Sequence, residues 1–106
     1  MNQAVKGRHK VDEAGNPAGG RTVGLGLRIN WQNGPLAVDG QRVEPSGAFV
    51  EGVINAAIDR LNCYQQSKFA CPENARALSH LHSAIACLME RTQDRERRQV
   101  EGTHKV

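Results

Sequence analysis

SKFACPENARALSHLHSAIACLMERTQDRERRQVEGTH, residues 67–104, joins an apolar helical pattern to a charged tail. Cys71-Pro72-Glu73 opens a helix: proline at the first helical position gives up an amide that would be orphaned anyway, and the acid beside it suits the positive end of the helix dipole. Leu78, Leu81, Ile85 and Leu88 then recur at intervals of three and four, one apolar helix face. Past Met89 the apolar pattern yields to Glu90, Arg91, Asp94, Arg95, Glu96, Arg97 and Arg98, so a packed helix ends in charge. Guanidinium groups at such a place can hold phosphate or pair with the neighbouring acids.

Upstream, GAFVEGVINAAIDRLNCYQQ after Pro45-Ser46 keeps helical spacing through Phe49, Val50, Val53, Ile54, Ala57, Ile58 and Leu61. The connection Gln65–Ala70 is short, which favours an antiparallel helix pair. Earlier still, in RTVGLGLRINWQ, Val23, Leu25, Leu27, Ile29 and Trp31 alternate with smaller or polar residues and predict one strand with one buried face. Asn33-Gly34 and Asp39-Gly40 are turn signals, because these residues tolerate positive φ. Residues 1–20, with Gly15, Asn16, Pro17, Gly19 and Gly20, read as a flexible arm. The expectation is α+β: a flexible arm, then one domain over 21–106 with a small antiparallel sheet or hairpin packed on a long antiparallel helix pair.

At 106 residues a monomer covers its apolar surface poorly, so self-association is expected. A net charge of +3 from 14 basic and 11 acidic residues is too mild and mixed to announce a nucleic-acid binder, and no polymer of that kind is expected as partner. The apolar runs fall short of a membrane span and MNQAVKGRHK lacks a signal-peptide core, so a soluble, cytoplasmic protein is expected. Cys63, Cys71 and Cys87 form no CxxC pair, and His80 and His82 do not share a helix face, so neither disulfide, metal nor cofactor is expected.

The chain has four aromatic side chains, Trp31, Phe49, Tyr64 and Phe69, which narrows the search for a stacking ligand. Tyr64 ends one helix and Asn74 begins the next, so a hairpin brings them to the same end. There a ring can stack on a base and an amide can bond its edge, or they are simply a core aromatic and a surface amide. Arg91, Thr92 and Arg95 lie within five residues, Arg91 and Arg95 on one face; phosphate binding and solvated salt bridges are the alternatives. Gly24 and Gly26 allow close approach by backbone or ligand, with Arg28 and Arg42 flanking them. Gly102 and Thr103 stop the last helix and offer amides and a hydroxyl. With no Gly-x-Ser-x-Gly elbow, HExxH pair or phosphate-binding loop, the chain reads as a binder rather than an enzyme.

SKFACPENARAL, LMERTQDRERRQVEGTH, INWQNGP and EPSGAFVEGVI resemble segments of phage and prophage Thoeris anti-defence proteins of the first type, which share a domain with phage anti-CBASS sponges. The resemblance covers about residues 21–104. It implies a non-catalytic sponge for cyclic nucleotide immune signals, cyclic ADP-ribose isomers and in some members cyclic di- or trinucleotides, acting in the bacterial host cytoplasm. It also implies a sheet on helices and dimers assembling into hexamers. Carried over by motif, Tyr64 and Asn74 match the pocket for the cyclic ADP-ribose isomer, and Arg91 and Thr92 the pair associated with cyclic oligonucleotides. Phe69, Arg95, Arg28, Arg42 and Thr103 are further candidates. The chain departs from the pattern at Pro72, where an arginine is expected, and at Cys87 and Gln99. The competing expectation is a small basic phage protein that binds host nucleic acid or a host protein through Arg91–Arg98.

Overall fold

The computed structural model describes residues 3–98; the closing segment with Gly102 and Thr103 lies outside them, as does Gln99. The chain is α+β, the class read from its sequence. It divides into a strand unit ending at Phe49 and a helical unit beginning at Val50.

In the strand unit, β1 (Val5–Val11), β2 (Pro17–Gly24) and β3 (Leu27–Asn33) form an antiparallel sheet in chain order. Residues taken for an arm therefore supply one whole strand and half of another. What closes this first hairpin is Asp12: its Oδ1 accepts the amides of Ala14 and Asn16, each at 2.9 Å, while Gly15 turns the chain at φ 83°. Composition hid the strand because every side chain of β1 is exposed. It is held by backbone pairing, and an edge strand that buries no side chain leaves no apolar period to read.

The single strand expected over 21–32 is instead a hairpin. Leu25 and Gly26 form its tip, Gly26 at φ 69° and Leu25 70% exposed, with Gly24 paired to Leu27. Reversing direction across two residues pairs residues of opposite parity, Thr22 with Ile29 and Val23 with Arg28. Thr22 consequently shares a face with Ile29 and Trp31, and the indole Nε1 donates to its Oγ1 at 2.8 Å. Val23 goes to the other face, with Arg28. The alternation that looked like one buried face is split between two. Gly24 serves close chain approach, since a Cβ there would meet Val5 Cγ1 at 3.0 Å.

The free edge of β3 is closed by residues 46–48. Ala48 donates to the Asn30 carbonyl at 2.7 Å and accepts from the Gln32 amide at 3.0 Å, a one-residue parallel extension of the sheet. Gln32 Oε1 accepts the amides of Ser46 (2.8 Å) and Gly47 (3.3 Å), and Ser46 Oγ accepts the Asn33 amide at 3.0 Å. Only glycine fits at 47, because a Cβ would stand 2.5 Å from the Trp31 carbonyl carbon and oxygen. The Asp39-Gly40 turn appears as read: both residues have positive φ, 51° and 76°, and join β4 (Ala37–Val38) to β5 (Gln41–Arg42).

In the helical unit, α1 (Val50–Gln65) and α2 (Pro72–Arg97) form a hairpin. On α2 the half-buried positions are Asn74, Ala77, Leu78, Leu81, Ala84, Ile85, Leu88, Thr92 and Arg95, the stripe that the leucine spacing predicted. On α1 the half-buried Val53, Ile54 and Leu61 flank Ile58, which at 7% exposure is the one buried side chain among the described residues. Val50 and Ala57, expected on that face, are exposed, as is Phe49 just before it. α2 has 26 residues against 16 in α1, so its last turns run about 15 Å past the start of α1 at 1.5 Å per residue.

Candidate functional site

The loop end of the helix hairpin is built by short polar contacts. Pro72 takes the first helical position of α2 after an extended Cys71, as the sequence predicted, and no side chain caps the helix from that position. Gln65 holds the junction instead. Its Oε1 accepts the Cys71 amide at 3.0 Å and its Nε2 donates to the Cys71 carbonyl at 3.2 Å, tying the last turn of α1 to the first residue before α2.

Inside that clamp the loop gathers three of the residues singled out by sequence. The Tyr64 carbonyl accepts both the Ser67 amide (3.0 Å) and the Ser67 hydroxyl (2.6 Å). Ser67 Oγ in turn accepts the Phe69 amide at 3.1 Å, and the Phe69 carbonyl accepts Asn74 Nδ2 at 3.3 Å. Tyr64, Phe69 and Asn74 are thus linked through one continuous run of hydrogen bonds. Tyr64 is 38% exposed and Phe69 66% exposed, while Asn74 is half-buried. Asn74 spends one amide hydrogen on the loop, which fixes its orientation and leaves its carbonyl oxygen to accept from a ligand.

Each ring carries a cation. Arg60 lies over Tyr64 with 4.9 Å from guanidinium carbon to ring centroid, and Lys68 over Phe69 at 5.4 Å. The Arg60 pKa is raised above its ordinary value, first by hydrogen bonding to the Tyr64 side chain and then by its charge interactions with Tyr64 and Cys63. Sequence reasoning passed over both Arg60 and Gln65. Arg60 precedes Tyr64 by four residues, a spacing that places two side chains side by side on a helix, and was therefore open to reading. Chemically, the loop end offers two rings, one amide oxygen and two cations, a set suited to an anionic ligand that contains a base.

Arg91, Thr92 and Arg95 lie elsewhere. Seventeen residues separate Asn74 from Arg91, about 26 Å along α2, so within one chain the two groups are distinct places. Arg91 is exposed, Arg95 half-buried. The Thr92 hydroxyl donates to the Leu88 carbonyl at 3.1 Å, a bond along its own helix, so it meets a phosphate as a donor only after rotating away. Asp94 draws Arg97 (3.5 Å) and Arg98 (3.1 Å), the salt-bridge reading of this stretch realised for those two residues. Arg28 is on β3 and Arg42 on β5, both exposed members of the strand unit. Cys63, Cys71 and Cys87 are free thiols, and no cluster of three metal-ligating side chains occurs among the described residues.

Fold and site together define a small α+β protein with an aromatic and amide cluster at one end of a helix hairpin and a guanidinium-bearing stretch at the other. No family model matches the chain. Over 77 residues, 73% of its length, it is 42% identical to "Thoeris anti-defense 1" of Bacillus phage SBSphiJ7. The match takes in 51% of that protein, so the chain spans about half the length of the curated relative. The resemblance drawn from the sequence is borne out: over the matched residues the chain is a relative of the Thoeris anti-defence proteins.

Proposed function

We propose that this protein is an anti-Thoeris sponge, a sink that binds a cyclic nucleotide immune signal, leaves it chemically intact and keeps it from its effector. The observation that carries the reading is the 42% identity over 73% of the chain to a protein named for Thoeris anti-defence. In this reading residues 21–106 hold the ligand. Tyr64 stacks a base of a cyclic ADP-ribose isomer, Phe69 borders it, and Asn74 fixes the base or a ribose hydroxyl through its free carbonyl oxygen. Arg60 sits against the Tyr64 ring, where a phosphate of the same ligand would find its charge. A second ligand class, cyclic di- or trinucleotides, is assigned to Arg91, Thr92 and Arg95, with Arg28, Arg42 and Thr103 as accessory candidates; that activity would extend the protein's reach to CBASS immunity.

For assembly we propose dimers building a hexamer, in keeping with the poor coverage of apolar surface in a chain of 106 residues. No described helix is long and apolar enough to cross a membrane; action in the host cytoplasm is part of the proposal. Because a sponge works by stoichiometry, protection should fail once signal molecules outnumber sites. Calorimetric titration against a panel of cyclic ADP-ribose isomers and cyclic di- and trinucleotides tests the assignment. Saturable binding of at least one cyclic ADP-ribose isomer is expected, and a panel without any heat of binding removes the proposal.

A further inference from the structure

The register of the three-stranded sheet sorts its charges onto one face. Lys6, Val23 and Arg28 stand opposite one another in one row, and Arg8, Arg21 and Asn30 in the next row on the same face. All six side chains are exposed. The opposite face carries Thr22, Ile29 and Trp31, half-buried, so the two faces differ in character as well as direction. Four cations therefore share one flat surface. Along a strand they are about 6.7 Å apart, and the three strands together span about 10 Å.

None of the four makes an ion pair among the described residues. The acids of residues 3–33 are Asp12 and Glu13, both in the turn between β1 and β2. Arg8 and Arg21 face each other directly, an arrangement of like charges that costs stability unless an anion lies between them. A net charge of only +3 concealed this, because the acids that balance it lie outside the sheet.

We propose that the Lys6, Arg8, Arg21 and Arg28 face binds the phosphate backbone of duplex nucleic acid, without reading its sequence. The face carries no aromatic side chain, so it offers nothing on which the open bases of a single strand would stack. A duplex hides its bases and presents phosphates already fixed in a dense line, and it releases condensed counterions when they are neutralised. An acidic polypeptide would first have to surrender the freedom of its backbone and side chains to align carboxylates on a flat surface. The inference goes beyond signal sequestration and does not depend on it.

The test is fluorescence anisotropy of a labelled 20-base-pair duplex of arbitrary sequence, titrated with the full chain between 50 and 200 mM salt. Neutralising four phosphates predicts a log–log salt slope of about −3.6, a loss of about 150-fold in affinity over that range. The double variants Arg21→Gln/Arg28→Gln and Lys6→Gln/Arg8→Gln should each reduce the slope to about −1.8. Two pairs on different strands are used so that either one, shown folded by circular dichroism, carries the result. Absence of binding at 50 mM salt, a slope unchanged in a folded variant, tighter binding of a single strand of equal length, or displacement by polyglutamate at equal charge would each overturn the proposal. Loss of duplex binding in Arg91→Gln with the sheet intact would also overturn it, by moving the contact to α2.

Discussion

Replacing Gln65 by alanine removes the side chain that joins the two helices at their loop end. Two hydrogen bonds vanish, from the Cys71 amide at 3.0 Å and to the Cys71 carbonyl at 3.2 Å. A typical intramolecular hydrogen bond contributes about 0.5–1.5 kcal/mol net, so the pair is worth about 1–3 kcal/mol. The Cys71 carbonyl keeps a bond from the Ala75 amide at 3.3 Å, which places the expectation near the middle, at about 2 kcal/mol. For a chain of this size that corresponds to a fall in melting temperature of roughly 8–16 °C. Urea unfolding followed by circular dichroism at 222 nm reads the effect on the helices directly. Gln65→Glu is the informative companion, since it retains an acceptor for the Cys71 amide but turns a carboxylate toward the Cys71 carbonyl, and should be no more stable than the alanine variant at neutral pH. If Gln65→Ala shifts stability by less than about 0.5 kcal/mol, within the range of an ordinary surface substitution, the clamp is not what closes the hairpin.

Other substitutions probe the remaining parts. Ile58→Ala empties the one buried apolar position among the described residues and should cost about 2–5 kcal/mol by the same urea assay. Gly47→Ala drives a methyl group into the Trp31 carbonyl and should disturb the indole that donates to Thr22, seen as a shift in tryptophan emission and a lower melting temperature. Tyr64→Ala should remove about 1–3 kcal/mol of binding to a cyclic ADP-ribose isomer, the range for a base stacked on a ring, and Arg91→Ala should leave that ligand's calorimetric affinity unchanged. Arg91→Ala should in turn weaken a cyclic oligonucleotide by about 1.5–3 kcal/mol, that of a charge-assisted bond, with Tyr64→Ala neutral toward it. The roughly 26 Å between the two places along α2 is what makes these crossed outcomes reasonable within one chain.

The helices were legible because both faces of the hairpin repeat at intervals of three and four, and because proline at the start of α2 is an unambiguous local signal. Asp39-Gly40 was legible for a similar reason: two adjacent residues that accept positive φ, a turn signal complete in itself. β1 was not, since an edge strand with every side chain exposed, and only Val5 and Val11 apolar, owes its place to backbone pairing and to one aspartate in the turn. The Leu25-Gly26 tip was missed because the apolar alternation continues in sequence through a reversal of direction, and only the pairing shows that Val23 and Leu27 take opposite faces. Tyr64 and Asn74 could be placed together by topology alone. Gln65 could not, because a polar side chain at a helix end announces a partner without saying which, and the partner here is the backbone of a residue across the loop.

A sponge holds its signal and returns it unchanged. The protein is mixed with less than one equivalent of a cyclic ADP-ribose isomer, any unbound small molecule is removed by filtration, and the protein is then denatured by heat and the second filtrate resolved by chromatography and mass. Nucleotide should be absent from the first filtrate and recovered after heating with its original mass and retention. A hydrolysed product after heating, or nucleotide that passes freely through the first filtration, would rule out sequestration.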